Sequence, residues 1–147
     1  IHCSSILGLV PFRYRGAYTA SKYALEGLGQ TLRMELHGSG ISVSMIEPGP
    51  IESKFTATAL KYIEDNIDID NSAHAVEYQR QLARLKGSGK KNKHKLGPDA
   101  VYEVLKHALT NPRPKPHYPV TVPAKQSLWL KRILPANAFY NLLRKFD

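Results

Sequence analysis

The stretch from Tyr18 to Pro50 sets the tightest limit on the fold. Tyr18, Leu25, Leu28, Leu32 and Leu36 recur at helical spacing, so the segment from Tyr18 to His37 reads as one amphipathic helix. Gly38-Ser39-Gly40 stops it, because glycine takes the left-handed conformation favoured at helix C-termini. Ile41-Ser42-Val43-Ser44-Met45-Ile46 then alternates apolar with small polar residues and ends apolar throughout, as a largely covered strand does. Glu47-Pro48-Gly49-Pro50 breaks that strand, since proline lacks an N–H and glycine permits unusual turns. Upstream, Ile1-His2-Cys3 reads as the end of a buried strand, and a chain that opens inside a strand, on Ile1 and not Met, is expected to be a piece of a longer one.

Beyond Pro50 the same alternation continues. Phe55 to Leu85 reads as two shorter helices around an Asp/Asn/Ile-rich joint, Asp65 to Asn71. Lys86 to Lys95 carries five lysines with Gly87 and Gly89 and reads as a solvated loop. Leu96-Gly97-Pro98-Asp99 opens a helix with Val101, Val104, Leu105 and Ala108 on one face, and Asn111-Pro112 ends it. Tyr118 to Val122 is a short β-branched strand, and Ser127 to Phe146 reads as two apolar-faced helical pieces separated by Pro135. Strands alternating with helices predict an α/β fold, a parallel sheet covered by helices, over a single unit spanning residues 1–147.

Composition narrows the partners. With 42% hydrophobic and 22% charged residues the chain reads as a soluble globular protein. It holds no run of about 18 apolar residues and no signal-peptide pattern at Ile1, so the default compartment is the cytoplasm. The lone Cys3 excludes an internal disulfide and reads as a small buried apolar residue, and six histidines without paired-ligand spacing give no expectation of a metal. A net charge of +9 favours something anionic: nucleic acid, a lipid surface or a phosphorylated cofactor. No aromatic stacking platform accompanies the lysine run, which disfavours nucleic acid. The tail, with Leu128, Trp129, Leu130, Ile133, Leu134, Phe139, Leu142, Leu143 and Phe146 beside Lys131, Arg132, Arg144 and Lys145, suits a weak lipid-surface contact, but packing over a cleft or against another subunit is the favoured reading.

Chemistry concentrates in Tyr18-Thr19-Ala20-Ser21-Lys22, where a phenol and an ammonium four positions apart share a helical face. A phenol with a reference pKa of about 10 is a poor acid or base at neutral pH, and a nearby cation stabilises its phenolate. Tyr102 and Lys106 repeat the spacing, but only Tyr18 has a serine thirteen positions upstream, Ser5, and a strand ending in Pro-Gly downstream. Tyr102–Lys106 therefore reads as a helix-surface pair.

Taken together, Ser4-Ser5-Ile6-Leu7-Gly8, then Tyr18-x-x-Ser21-Lys22-x-Ala24-Leu25, then Pro48-Gly49-Pro50-Ile51-Glu52-Ser53 resemble the short-chain dehydrogenase/reductase family, most specifically from Ile1 to about Phe55. The likeness extends more weakly to the C-terminus, where the chain looks like bacterial aldehyde/ketone reductases and the retinoid and steroid dehydrogenase branches. The resemblance implies a partial Rossmann-like, doubly wound parallel sheet with helices on both faces. It implies an oxidoreductase that moves hydride between NAD(P) and a carbonyl or alcohol, with Tyr18 as acid/base, Lys22 supporting the phenol and binding the nicotinamide ribose, and Ser5 holding the substrate oxygen. It also implies cofactor contacts from Pro48, Gly49, Ile51 and Ser53, a variable substrate lid over residues 55–95, and homo-oligomers built on helix 18–37. The glycine-rich dinucleotide turn and the residue that selects NAD from NADP precede the matched region, so the expectation for this chain alone is little activity. The competing expectation is a non-enzymatic remnant or a piece that binds a partner chain.

Overall fold

The structure, a computed structural model, describes residues 1–87 and 93–145; residues 88–92 of the lysine run and Phe146 of the tail lie outside the described residues. The elements are β1 (His2–Cys3), a 3-10 turn (Ile6–Gly8), α1 (Gly16–Glu35), β2 (Met45–Glu47), α2 (Phe55–Asn66), α3 (Ala75–Leu85), α4 (Asp99–Thr110), β3 (His117–Pro119), α5 (Val122–Ile133) and α6 (Ala136–Leu143). They fall into two compact units, one of Ile1–Ile51 with His94–Asp147, the other of Glu52–Lys93. No helix among the described residues is long and apolar enough to cross a membrane.

In the first unit the sheet has the order β1-β2-β3, all parallel, with Cys3 opposite Ile46 and Ile46 opposite Tyr118. Side chains alternate across a strand, so its two faces meet different helices. Ile46, Tyr118 and Val120 pack with Ala108 of α4, and Val101, Val104 and Leu105 of α4 close over them. On the opposite face a side chain at Gly29 of α1 would run into the Met45 sulfur, so the helix lies close against β2. Arg33 near the end of α1 donates to the Val43 carbonyl at 2.5 Å, fixing the chain that re-enters the sheet. Helices therefore cover both faces, as the alternating pattern predicts.

Several boundaries differ from the sequence reading, each for a physical reason. Strand β2 starts at Met45, not Ile41: Ile41 is exposed and its N–H bonds Ser39 Oγ in the turn at 3.3 Å, whereas the first inter-strand bonds are made at Ser44 O and Met45 N. Alternation predicts a strand only where a neighbour supplies the ladder. Strand β3 stops at Pro119, and Val122, read as strand, begins α5. The fully buried Thr121 caps that helix, its Oγ1 accepting from Ala124 N at 3.4 Å, and Pro123 suits the first turn, so α5 starts five residues before Ser127. Helix α1 runs from Gly16 to Glu35, two residues earlier at each end than expected. Cys3 is exposed, not buried, because β1 is an edge of the sheet as described.

The second unit consists of α2 and α3 with the expected joint between them. Asp68 holds that joint, accepting from Asn71 N at 3.3 Å and Asn71 Nδ2 at 2.7 Å; both bonds favour the carboxylate and hold its pKa below the ordinary value. Lys86 and Glu64 form an ion pair at 2.7 Å.

Candidate active site at the carboxyl edge of the sheet

After β1 the chain still follows β2. Ser4 N donates to Ile46 O at 2.8 Å and Ile6 N to Pro48 O at 3.0 Å, so Ser5 lies beside the Pro48 turn at the carboxyl ends of the strands. Such edges are where open α/β sheets bind ligands. Ser5 is buried and extended, and its Oγ accepts from Leu7 N at 3.2 Å, starting the 3-10 turn. Gly8 closes that turn against α1, where any side chain would meet Glu26 Cγ and Ser4 Oγ at 2.8 Å and the Lys22 carbonyl at 3.0 Å.

Helix α1 brings its first turns to the same edge. Lys22 Nζ donates to the Cys3 carbonyl at 3.2 Å and stands 5.7 Å from the centre of the Tyr18 ring. Both side chains are half-buried. Ser21 Oγ bonds back to Tyr18 O at 2.7 Å, a contact internal to the helix. Ser5, Tyr18 and Lys22 thus belong to one corner of the molecule, where β1 ends and α1 begins. By contrast Tyr102 is 58% exposed on α4, as a surface pair requires.

The Pro48 turn runs past Thr121. A side chain at Gly49 would collide with Thr121 Oγ1, which gives the glycine a steric cause within the fold. Beyond it Ile51 forms a parallel bridge with Leu96, whose N–H donates to Pro50 O at 3.2 Å. Ser53 belongs to the second unit, where its Oγ accepts from Phe55 N at 3.3 Å at the start of α2.

A second polar knot lies on the loop after Ser5. Tyr23 Oη donates to Leu9 O at 2.7 Å, and Lys131 Nζ of α5 donates to the same carbonyl while standing 5.4 Å from the Tyr23 ring centre. Burial raises the Tyr23 pKa, with Tyr140 adding to it, and burial lowers that of Lys131.

Sequence reasoning missed a third cluster, under α1. Glu47 is fully buried; one carboxylate oxygen accepts from Tyr118 N at 2.8 Å and the other lies 2.5 Å from His117 Nδ1. Glu26 of α1, also buried, approaches His117 Nδ1 at 3.9 Å. Burial is the largest influence on Glu47, and with the Glu26 charge it outweighs His117 and the Tyr118 N–H, pushing its pKa up to about 7. The available signal was Glu26 one turn after Lys22 on the inward stripe of α1, and Glu47 closing an apolar strand. Nearby, the buried Ser4 Oγ has no hydrogen-bond partner among the described residues.

A family profile described as short chain dehydrogenase matches residues 1–63. The "uncharacterized oxidoreductase YbbO" of Escherichia coli (strain K12) is 42% identical over 141 residues, which cover 96% of this chain and 46% of YbbO. Human dehydrogenase/reductase SDR family member 9 is 36% identical over 118 residues, covering 75% of this chain and 36% of that protein. Among solved structures, a 4-hydroxyisoleucine dehydrogenase complexed with NADH superposes with a TM-score of 0.54 at 21% identity, covering 81% of this chain and 43% of that one. The chain spans about half the length of YbbO. With the parallel sheet, the helices on both its faces and the Ser5, Tyr18, Lys22 corner at its carboxyl edge, these likenesses make the chain part of the short-chain dehydrogenase/reductase family.

Proposed function

We propose that this chain supplies the proton-transferring half of an oxidoreductase that uses NAD(P) to interconvert a carbonyl and an alcohol. The observation that carries the reading is Lys22 Nζ, bonded to the end of β1 at Cys3 O and held 5.7 Å from the Tyr18 ring centre. The ammonium stands over the ring of the phenol that exchanges the proton. Tyr18 gives that proton to, or takes it from, the substrate oxygen, and Ser5 holds that oxygen by a hydrogen bond. Bound NAD(P) supplies the hydride chemistry. The residues suit such a group: the Cys3 carbonyl takes one of the three N–H bonds of Lys22, leaving two for ribose hydroxyls. Pro48, Gly49 and Ile51 offer backbone at the same edge. The NADH-bound neighbour supports the cofactor class without selecting between NAD and NADP. Leu28 and Met34, 62% and 72% exposed on α1, offer apolar surface for a homo-oligomer.

The test joins the 147 residues to the amino-terminal half of YbbO and follows nicotinamide absorbance with a panel of carbonyl substrates. Tyr18→Phe is expected to lower turnover by about 10²- to 10⁴-fold while leaving NAD(P)H binding, read by fluorescence titration, within about twofold. Unchanged turnover removes Tyr18 from the mechanism.

A further inference from the structure

Two carboxylates buried together on one side of a sheet need a positive charge or a proton beside them, because desolvated negative charges repel and lose their water. Glu26 and Glu47 form such a pair, and His117 completes it. One atom from each of the three side chains lies within 4.8 Å of the others. The pairwise separations at His117 Nδ1 are 2.5 Å to Glu47 and 3.9 Å to Glu26. Ligands around a tetrahedral zinc ion, each about 2.0–2.2 Å from the metal, stand about 3.3 Å apart. The 2.5 Å pair is a direct hydrogen bond that an ion would replace, and the 3.9 Å pair lies just beyond that spacing.

An independent observation points to a ligand. Both oxygens of Glu26 are buried and have no hydrogen-bond partner among the described residues. A buried carboxylate left so is costly, and an ion is one of the few things that explains it. Glu26 is not turned outward: its Cγ and Ser4 Oγ both come within 2.8 Å of the point a Gly8 side chain would occupy, so the stem is fixed between the 3-10 turn and the sheet. His117 retains 36% side-chain exposure, which gives an ion and a fourth, water ligand a way in.

We propose that Glu26, Glu47 and His117 form a binding site for one divalent cation of the zinc class. Two carboxylates and a neutral imidazole suit such an ion in charge and in donor type. The site joins α1, β2 and β3, and Glu47 is the residue before the Pro48 turn. A bound ion would therefore clamp that turn to the helix carrying Tyr18 and Lys22. The inference rests on the cluster alone and needs neither hydride transfer nor a dinucleotide.

The experiment titrates the 147-residue chain with Co²⁺, whose visible absorption reports tetrahedral coordination, and then displaces it with Zn²⁺. One equivalent of intense Co²⁺ band is expected, bleached by Zn²⁺. Glu26→Gln and His117→Ala are each expected to weaken binding by at least about tenfold, while His37→Ala, at an exposed histidine of the helix end, leaves it unchanged. Circular dichroism checks folding; where Glu26→Gln fails to fold, His117→Ala at its half-exposed position decides. No band at about 1 mM metal, meaning that a proton neutralises the pair, overturns the proposal, as does a band equally strong in the folded variants.

Discussion

Gly49 and Gly29 each face a side chain that an added methyl would strike, and the two collisions differ in kind. At Gly49 the obstacle is Thr121, fully buried, branched and committed to capping α5. At Gly29 it is the end of the flexible Met45 side chain. Gly49→Ala is therefore expected to destabilise the chain by about 1–3 kcal/mol. Gly29→Ala should stay within about 1 kcal/mol of zero, since methionine adapts and alanine gains about 0.5–1 kcal/mol of helix preference over glycine. Denaturant midpoints of the two variants check the contrast, and equal losses would contradict it. The pair also marks what single residues disclose in a sequence. Tyr18 and Lys22 were readable because four positions on a helix fix their relation without any tertiary knowledge. The reason for Gly49 was not, because Thr121 comes beside it only through the fold. Glu47 and His117, 70 positions apart, are likewise joined only by strand pairing.

Among the elements, helices were read more faithfully than strands, and the cause is local. Helix α4 carries its own start in Pro98-Asp99 and its own stop at Asn111-Pro112, and it occupies Asp99–Thr110 as expected. Strands β2 and β3 depend on neighbours for their ends: the first loses Ile41 to a turn and the second loses Val122 to a cap. The two helices of the second unit invite a different test. Helix α2 buries no residue and α3 buries only Leu82, so little apolar contact secures either. Amide hydrogen exchange should be faster in α2 than across the central turns of α1, where Glu26 and Gly29 are buried. Equal protection of both would contradict this expectation.

For the molecule entire, charge and exposed apolar surface oppose each other. A net charge of +9 keeps copies apart. Strand β1, paired on one side as described, and the exposed Leu28, Met34 and Trp129 draw them together. Salt screens the repulsion over about 10 Å at 0.1 M and leaves apolar attraction intact. The 147-residue chain is thus expected to sediment as larger species when salt is raised at fixed concentration. Salt-independent sedimentation would mean that charge is not what holds copies apart. The Leu9 carbonyl, which receives both Tyr23 and Lys131, carries a consequence for any redesign. That one oxygen is the knot between the loop following Ser5 and a helix 122 positions further on. Grafting a different loop there in search of a new specificity means choosing the tail anew at the same time, and shortening the tail would untie the loop.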